Sequence, residues 1–319
     1  MWSYIARRLI QALVILLIIT GLCFLLTRLS SDPMAQYANR PNMTVADREA
    51  IQHRLGLDQP IPIQYLKWLG LALQGEMGDS FFSKQPVSKM IAQRLPMTLI
   101  LMVTAEIVII IVSLILGVVS AVKQYSFIDN LITSFSFIGF SMPIFFIALG
   151  FIFLFAVRFK AWGLPYFPTG ADIWNFKDIG ALAWHLAMPV ACLVIIQTAG
   201  YARFLRSSIL EVLGLDYVRT ARAKGLTSRY VLYKHALRNA TLPFITIIGL
   251  DIPFLLGGAL VTESIFAWPG MGRLFWEYAQ RGDYPVVNGI LLLTSSAVVF
   301  FTIIVDVAYT FLDPRIQIK

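Results

Sequence analysis

Charge is scarce in this sequence. Asp, Glu, Lys and Arg make up only 14% of the 319 residues, where a water-soluble domain carries about 25%, so an ordinary soluble domain is excluded. Three histidines occur, His53, His185 and His235, and no two stand at ligand spacing, which leaves metal chemistry without support. The two cysteines, Cys23 and Cys192, both sit in apolar runs. They are too few for a disulfide framework and read as small buried hydrophobes. No G-x-x-x-x-G-K-[ST] run occurs, since Ala223-Lys224-Gly225-Leu226 has the wrong order. G-x-S-x-G, H-E-x-x-H and carboxylate pairs at catalytic spacing are missing as well. The residues thus point away from an enzyme, with no cofactor expected in the chain itself.

Apolar length is plentiful. Hydrophobic residues make up 58% of the chain and the mean hydropathy is +0.73. Crossing about 30 Å of hydrocarbon as a helix takes roughly 20 apolar residues. Six stretches are predicted to span: Leu9–Thr27, Met97–Val122, Leu131–Val157, Ala183–Tyr201, Leu242–Val261 and Val286–Leu312. The first follows Arg7 and Arg8, but its apolar core is too long for a signal peptide and no A-x-A site follows, so it reads as a retained helix. Lys and Arg placement sets the orientation. With the start of the chain inside, 13 Lys and Arg fall on each face, but eight of the outer ones lie in the long segment from Arg28 to Arg94, where such charges contribute little. Both termini are therefore expected in the cytoplasm. The chain divides into a first span (1–28), an external segment (29–95) and a five-helix core (96–319) that contains a cytoplasmic loop (203–240).

That loop holds eight Lys and Arg residues between Arg203 and Arg238. Most of this charge is what the positive-inside rule asks for, and an ordinary basic loop against anionic lipid would show it too. Nucleic-acid binding is disfavoured, because no aromatic platform or fold module accompanies the charge. The order of residues says more than the charge. In DYVRTARAKG, Asp216 is a candidate N-cap and Gly225 a candidate left-handed stop, enclosing about two helical turns. A helix so short must be held by something else. Tyr217, Thr220, Ala221 and Lys224 are predicted on one face and Arg219 and Arg222 on another, while small Ala221 and Ala223 suit close approach of a second protein surface. Thr227-Ser228 then starts a longer helix through His235, Ala236 and Asn239 towards Leu242-Pro243.

With Arg219-Thr220-Ala221, Gly225 and the distant Leu242-Pro243, this loop resembles the cytoplasmic motif of permease subunits in binding-protein-dependent ABC importers, and specifically the dipeptide/oligopeptide branch, whose loops read like YVRTARAKGL followed by HALRNA. LGLDQPIPIQYLKWL (55–69), GEMGDSF (75–81), PVSKMIAQRLPMTL (86–99), SMPIFFIAL (141–149), TESIFAWPGMGRL (262–274), RGDYPVV (281–287) and VDVAYTFLDPRI (305–316) resemble the same branch in order along nearly the whole chain. Ser30-Ser31-Asp32-Pro33 departs from the Pro-Gly-Asp-Pro usual there. The resemblance implies an all-α, polytopic type I ABC importer permease fold with six transmembrane helices in a bacterial or archaeal inner membrane. It implies a second homologous permease, two cytoplasmic ATPase subunits that bind ATP and Mg, and an external solute-binding protein that delivers peptide. Residues 216–225 would be the coupling helix, with Asp216, Tyr217, Arg219, Thr220, Ala221, Ala223 and Gly225 in the docking element and Arg222 and Lys224 at its rim. Relatives in this branch also carry nickel chelates, glutathione or oligosaccharides. A reading of another class, a membrane scaffold or receptor that recruits a cytoplasmic partner without transport, fits the loop but not the other motifs.

Three acids fall inside predicted spans: Glu106, Asp251 and Asp306. Intramembrane carboxylates are costly and often functional. Asp251 precedes Pro253 and Gly257-Gly258, where an interrupted helix could expose backbone to a polar path, so Asp251, Pro253 and Glu106 are candidate pathway residues. The plainer expectation is that neighbouring helices satisfy these acids. Pro143 and Pro189 are expected to kink spans three and four, and Trp268-Pro269-Gly270 to form an external turn at a gate, a binding-protein contact or a membrane interface.

Overall fold

A computed structural model describes residues 2–30, 34, 44–54, 56–170, 178–251 and 259–312. Its described elements are helical, apart from an isolated bridge between Asp79 and Pro86. Five helices are long and apolar enough to cross a membrane, and a sixth, shorter apolar helix adjoins one of them. In chain order the described helices are α1 (Trp2–Ser30), α2 (Val45–Arg54), α3 (Ile61–Ala72), α4 (Val87–Val122), α5 (Phe127–Ser141), α6 (Ile144–Ala161), α7 (Ile179–Leu213), α8 (Asp216–Ala223), α9 (228–251), α10 (Leu260–Ile265), α11 (Met271–Gln280) and α12 (Tyr284–Leu312).

The centre of the bundle is the pairing of α4 with α7. Leu101, Ala105 and Ile109 from α4 and Tyr201, Leu205 and Ile209 from α7 are buried together with Phe244 of α9. Gly117 makes the close approach possible, since a Cβ there would lie 3.0 Å from both the Ala202 carbonyl oxygen and Leu205 Cβ. Small residues at such crossings let backbones meet where lipid gives no hydrophobic drive for helices to associate. Away from the centre, Leu9, Ile10, Leu13 and Ile18 of α1 and Phe145, Phe146 and Phe153 of α6 are exposed, as lipid-facing side chains should be.

The two prolines expected to kink their spans behave differently. Pro143 breaks span three outright: Met142 is extended (φ −84°, ψ 130°), as the residue before proline prefers, and Pro143 (φ −60°, ψ 137°) starts α6 as its N-cap. Span three is thus two helices end to end. Pro189 remains inside the continuous α7. Spans two and four exceed their expected ends. α4 begins at Val87, so PVSKMIAQRLPMTL belongs to the helix rather than to a separate external segment. α7 continues to Leu213, some 12 residues past the expected inner end at Tyr201, or about 18 Å at 1.5 Å per residue. Of the expected span five, α9 covers the portion up to Asp251 and α10 the far end. Residues 252–258, with Pro253 and Gly257-Gly258, lie outside the described residues, as do residues 31–33 of the divergent turn and the Asp306 side chain.

The end of the bundle opposite the basic loop is built around buried polar anchors. Asp283 accepts from Ser80 Oγ at 2.6 Å and from the Phe82 amide at 3.0 Å, which ties GEMGDSF to RGDYPVV. Thr20 and Tyr65 share a hydroxyl contact of 2.8 Å, and Phe24, Tyr65 and Trp68 pack their rings together, so α3 lies across α1. The Trp268-Pro269-Gly270 turn is neither an open gate surface nor an interface anchor. Trp268 is buried and donates from Nε1 to the Met97 carbonyl at 2.9 Å. Beside it, the fully buried Glu263 accepts from Thr98 Oγ1 at 2.9 Å and from the Arg273 amide at 3.0 Å, so its carboxylate caps the first turn of α11. Burial pushes the Glu263 carboxyl above its usual range despite these donors. Gly270 and Gly272 leave room for it: a Cβ on Gly270 would overlap the carboxylate, and one on Gly272 would lie 2.7 Å from Leu260 Cα. Gly272→Val is therefore expected to destabilise the solubilised protein by about 1–3 kcal/mol, read as a lower Tm, and an unchanged Tm would contradict this packing.

Candidate functional site: the basic loop and the polar cluster within the bundle

The short helix of the basic loop exists as expected, but its details differ. Leu215, in an extended conformation, occupies the N-cap position with no side-chain cap, and Asp216 is the first helical residue. Its carboxylate instead lies in solvent, 3.6 Å from Arg219, an exposed pairing of the kind that adds about 0–1 kcal/mol. Thr220 Oγ1 bonds back to the Asp216 carbonyl at 2.9 Å. Gly225 closes the helix as expected: its φ is +80°, in the left-handed region, and its amide donates to the Arg222 carbonyl at 2.9 Å.

The expected division of faces is corrected by burial. Val218 and Ala221 form the inward face, packed with Val231, Val212 and Leu213 of the same chain. Ala221 is therefore small because α8 lies tightly on its own α7–α9 junction, rather than because a partner approaches it. Arg219, Thr220, Arg222, Ala223, Lys224 and Gly225 are exposed, with Tyr217 partly so. Helical spacing alone could not tell which face is covered, because both contain small and polar residues.

Tyr217 does what its face assignment did not suggest. Its hydroxyl donates to the His235 carbonyl at 3.2 Å and accepts from Asn239 Nδ2 at 2.7 Å. HALRNA thereby acquires a physical meaning: it carries the receptors that fasten α8 to the foot of α9. Thr227 caps the start of α9 by accepting from the Tyr230 amide at 3.4 Å.

A second anchor on this face was not apparent from the sequence. Asp129, buried at the start of α5, accepts from Arg206 Nε at 2.9 Å and Arg206 Nη2 at 2.8 Å, from the Tyr125 amide at 2.9 Å, and from Ser120 Oγ. The Arg206 guanidinium beside Asp129 holds its carboxyl well below the usual carboxylate range. A depressed carboxylate stabilises the fold above its unfolded pKa and loses that contribution only as acid protonates it, so the pair is intact throughout the neutral range. The clue in the sequence was slight: besides Glu106 deep in α4, Asp129 is the one acid of a two-span hairpin, and it stands just after a turn four residues long.

Within the bundle, Tyr201 brings two of the candidate pathway acids to one hydroxyl. Tyr201 Oη lies 2.5 Å from Asp251 Oδ2 and 3.3 Å from Glu106 Oε1, while Gln197 Nε2 donates to Asp251 Oδ2 at 3.3 Å. Spans two, four and five are thus linked through one phenol, and the plainer expectation, satisfaction by neighbouring helices, describes Glu106 and Asp251. Glu106 and Tyr201 are buried, and Asp251 is half-buried. Pro253 lies outside the described residues. An apolar groove of about 670 Å³ between the halves of span three, α4 and α7 is lined by Phe135, Met142, Phe146 and Ile195 among others, and takes in none of these acids. Because Tyr201 and Asp251 share one bond, Tyr201→Phe and Asp251→Asn should each cost about 1–3 kcal/mol. Together they should cost less than the sum, by about 0.5–3 kcal/mol of coupling. Additive Tm losses would contradict the shared bond.

Residues 113–318 match the family described as binding-protein-dependent transport system inner membrane component, and residues 1–102 match the N-terminal region of such membrane components. The oligopeptide transport system permease protein AppB of Bacillus subtilis is 43% identical over 321 residues, covering 99% of this chain and 100% of that one. The glutathione transport system permease protein GsiC is 36% identical over 320 residues in Salmonella typhimurium and 35% in Escherichia coli, with both chains fully covered in each case.

Proposed function

The chain belongs to the inner-membrane components of binding-protein-dependent transport systems, and on that premise we propose that it forms half of the path of an ATP-driven peptide importer, with α8 as the helix through which ATPase subunits move it. The observation that carries the reading is α8 itself. Its apolar side, Val218 and Ala221, is used up within the chain, and Tyr217 fastens it to span five. That leaves an exposed ridge of Arg219, Thr220, Arg222, Ala223 and Lys224, closed by Gly225, for a partner. A helix of about two turns held from behind and bare in front suits docking in a groove.

In this reading both termini and α8 are cytoplasmic. A second permease completes the path, two ATPase subunits below bind ATP and Mg, and an external binding protein brings the cargo. Peptide is the cargo class, supported by a relative named for oligopeptide transport and others named for glutathione, itself a short peptide. The permease supplies no step of ATP hydrolysis. It converts closure of the ATPase pair into a displacement of α8, and from there into rearrangement of the spans.

The burial of Ala221 gives the test its control. Ala223→Trp adds bulk to the docking ridge and should leave assembly and Tm near wild type while reducing peptide uptake and stimulated ATP hydrolysis at least tenfold. Ala221→Trp should instead lower the Tm, because it forces α8 off Val231. Wild-type uptake by Ala223→Trp in proteoliposomes would contradict the docking ridge.

A further inference from the structure

α8 is fastened to the membrane bundle in two places. Tyr217 joins it to α9. The other fastening runs through α7, whose last residues Val212 and Leu213 pack against Val218, Ala221 and Val231. Seven residues before Leu213 on the same helix, about 10 Å back along its axis, Arg206 forks onto Asp129.

Asp129 is where three elements converge. Ser120 belongs to α4, Tyr125 to the turn, and Asp129 to α5, and the carboxylate holds all three together. Tyr125 has φ +61°, a left-handed conformation that costs a non-glycine residue about 1–3 kcal/mol and is held by its amide bond to Asp129. Ser126 caps α5 in turn, accepting from the Asp129 amide at 3.3 Å. The α4–α5 hairpin is therefore a single unit with Asp129 at its centre. Arg206 attaches α7 to that unit about a turn from the place where Gly117 lets α4 touch Ala202 and Leu205.

The two contacts constrain different motions. Backbone packing at Gly117 fixes distance but permits sliding and rotation. A guanidinium gripping both oxygens of a buried carboxylate fixes orientation as well, because its donor fork is rigid and planar. With both in place, the inner half of α7 cannot turn without turning α4 and α5. Further along, α5 ends at the Met142–Pro143 break, where the helical hydrogen-bond ladder is interrupted and a change of angle between α5 and α6 can be taken up.

We infer that the Arg206–Asp129 pair is the positioning link that delivers displacement of α8 to spans two and three, while Tyr217 delivers it to span five. The inference rests on the reading of α8 as the element moved by the ATPases. A movement entering at α8 divides at the α7–α9 junction. One branch passes through Asn239 and His235 into α9 and towards Asp251. The other passes up α7 to Arg206 and across Asp129 into the hairpin. Loss of the pair leaves the first branch whole and releases the second.

The test uses the complete importer with Cys23 and Cys192 replaced by alanine. Spin labels at Leu154 (span three) and Phe300 (span six) form one pair, and labels at Leu250 (span five) and Phe300 the other; all three positions are exposed. Distances are measured without nucleotide and after trapping with ATP and vanadate, alongside ATP hydrolysis. In the parent both distances should shift. In Asp129→Asn the shift at Leu154–Phe300 should fall at least threefold, while that at Leu250–Phe300 and the rate of ATP hydrolysis stay within twofold. Arg206→Lys, which keeps the charge but loses the fork, should give an intermediate shift and decides the matter if Asp129→Asn does not assemble. Wild-type shifts at both pairs in these variants, or equal losses at both, would overturn the link and assign the pair a merely structural role. Absence of any shift in the parent would instead overturn the reading of α8, and the link with it.

Discussion

Hydrocarbon provides no hydrogen-bond partner, and most of this structure is the working-out of that constraint. Every backbone donor crossing the membrane must be satisfied within its own helix, so the long apolar stretches among the described residues are helical. Where the ladder is broken, at Met142–Pro143, Met142 is half-buried and Pro143 exposed, and Ile147 and Ala148 are buried just beyond the break. The same constraint gathers the intramembrane acids. Glu106 and Asp251 lie on different spans, yet both reach Tyr201, because an isolated carboxylate among lipid tails would cost several kcal/mol. Polar contacts here hold spans in register with one another, while close apolar packing such as that at Gly117 sets their separation.

At the two faces the constraint relaxes, and buried polar groups take on a different task. At one face, Glu263 and Asp283 each anchor a loop to a helix start, and Trp268 bonds to α4. At the other, Asp129 organises a hairpin and Tyr217 a junction. Each ties together segments that are apart in sequence through directed bonds. The consequence is that α8, α7, α9 and the α4–α5 hairpin are bound at this face by directed bonds and not by packing alone. For the proposed lever, such bonding together with a broken span is the combination that a transmitted movement requires.

The sequence disclosed the spans and the loop well, because hydrophobic length and the Gly225 stop are local signals. Span edges were less legible: α4 and α7 run beyond the expected spans, through stretches that carry charged and polar residues. Asp216 looked like an N-cap from its residue type, yet the extended residue is Leu215, and backbone conformation rather than side-chain chemistry decides that position. The least legible features were pairings between distant residues. Nothing near Asp129 announces Arg206, 77 residues away, and nothing near Tyr201 announces both Glu106 and Asp251. Ala221 shows the same limit, since its small size was plain but the surface it packs against was not. What periodicity cannot supply is which of two possible faces the rest of the chain has already covered.

The central claim, that the exposed ridge of α8 meets an ATPase subunit, is tested most directly by photo-crosslinking in the intact importer. A benzoylphenylalanine residue placed at Thr220 or at Lys224, both exposed, should capture an ATPase subunit, with a yield that changes when ATP and vanadate are added. Capture of lipid alone, or a yield indifferent to nucleotide at both positions, would contradict the account.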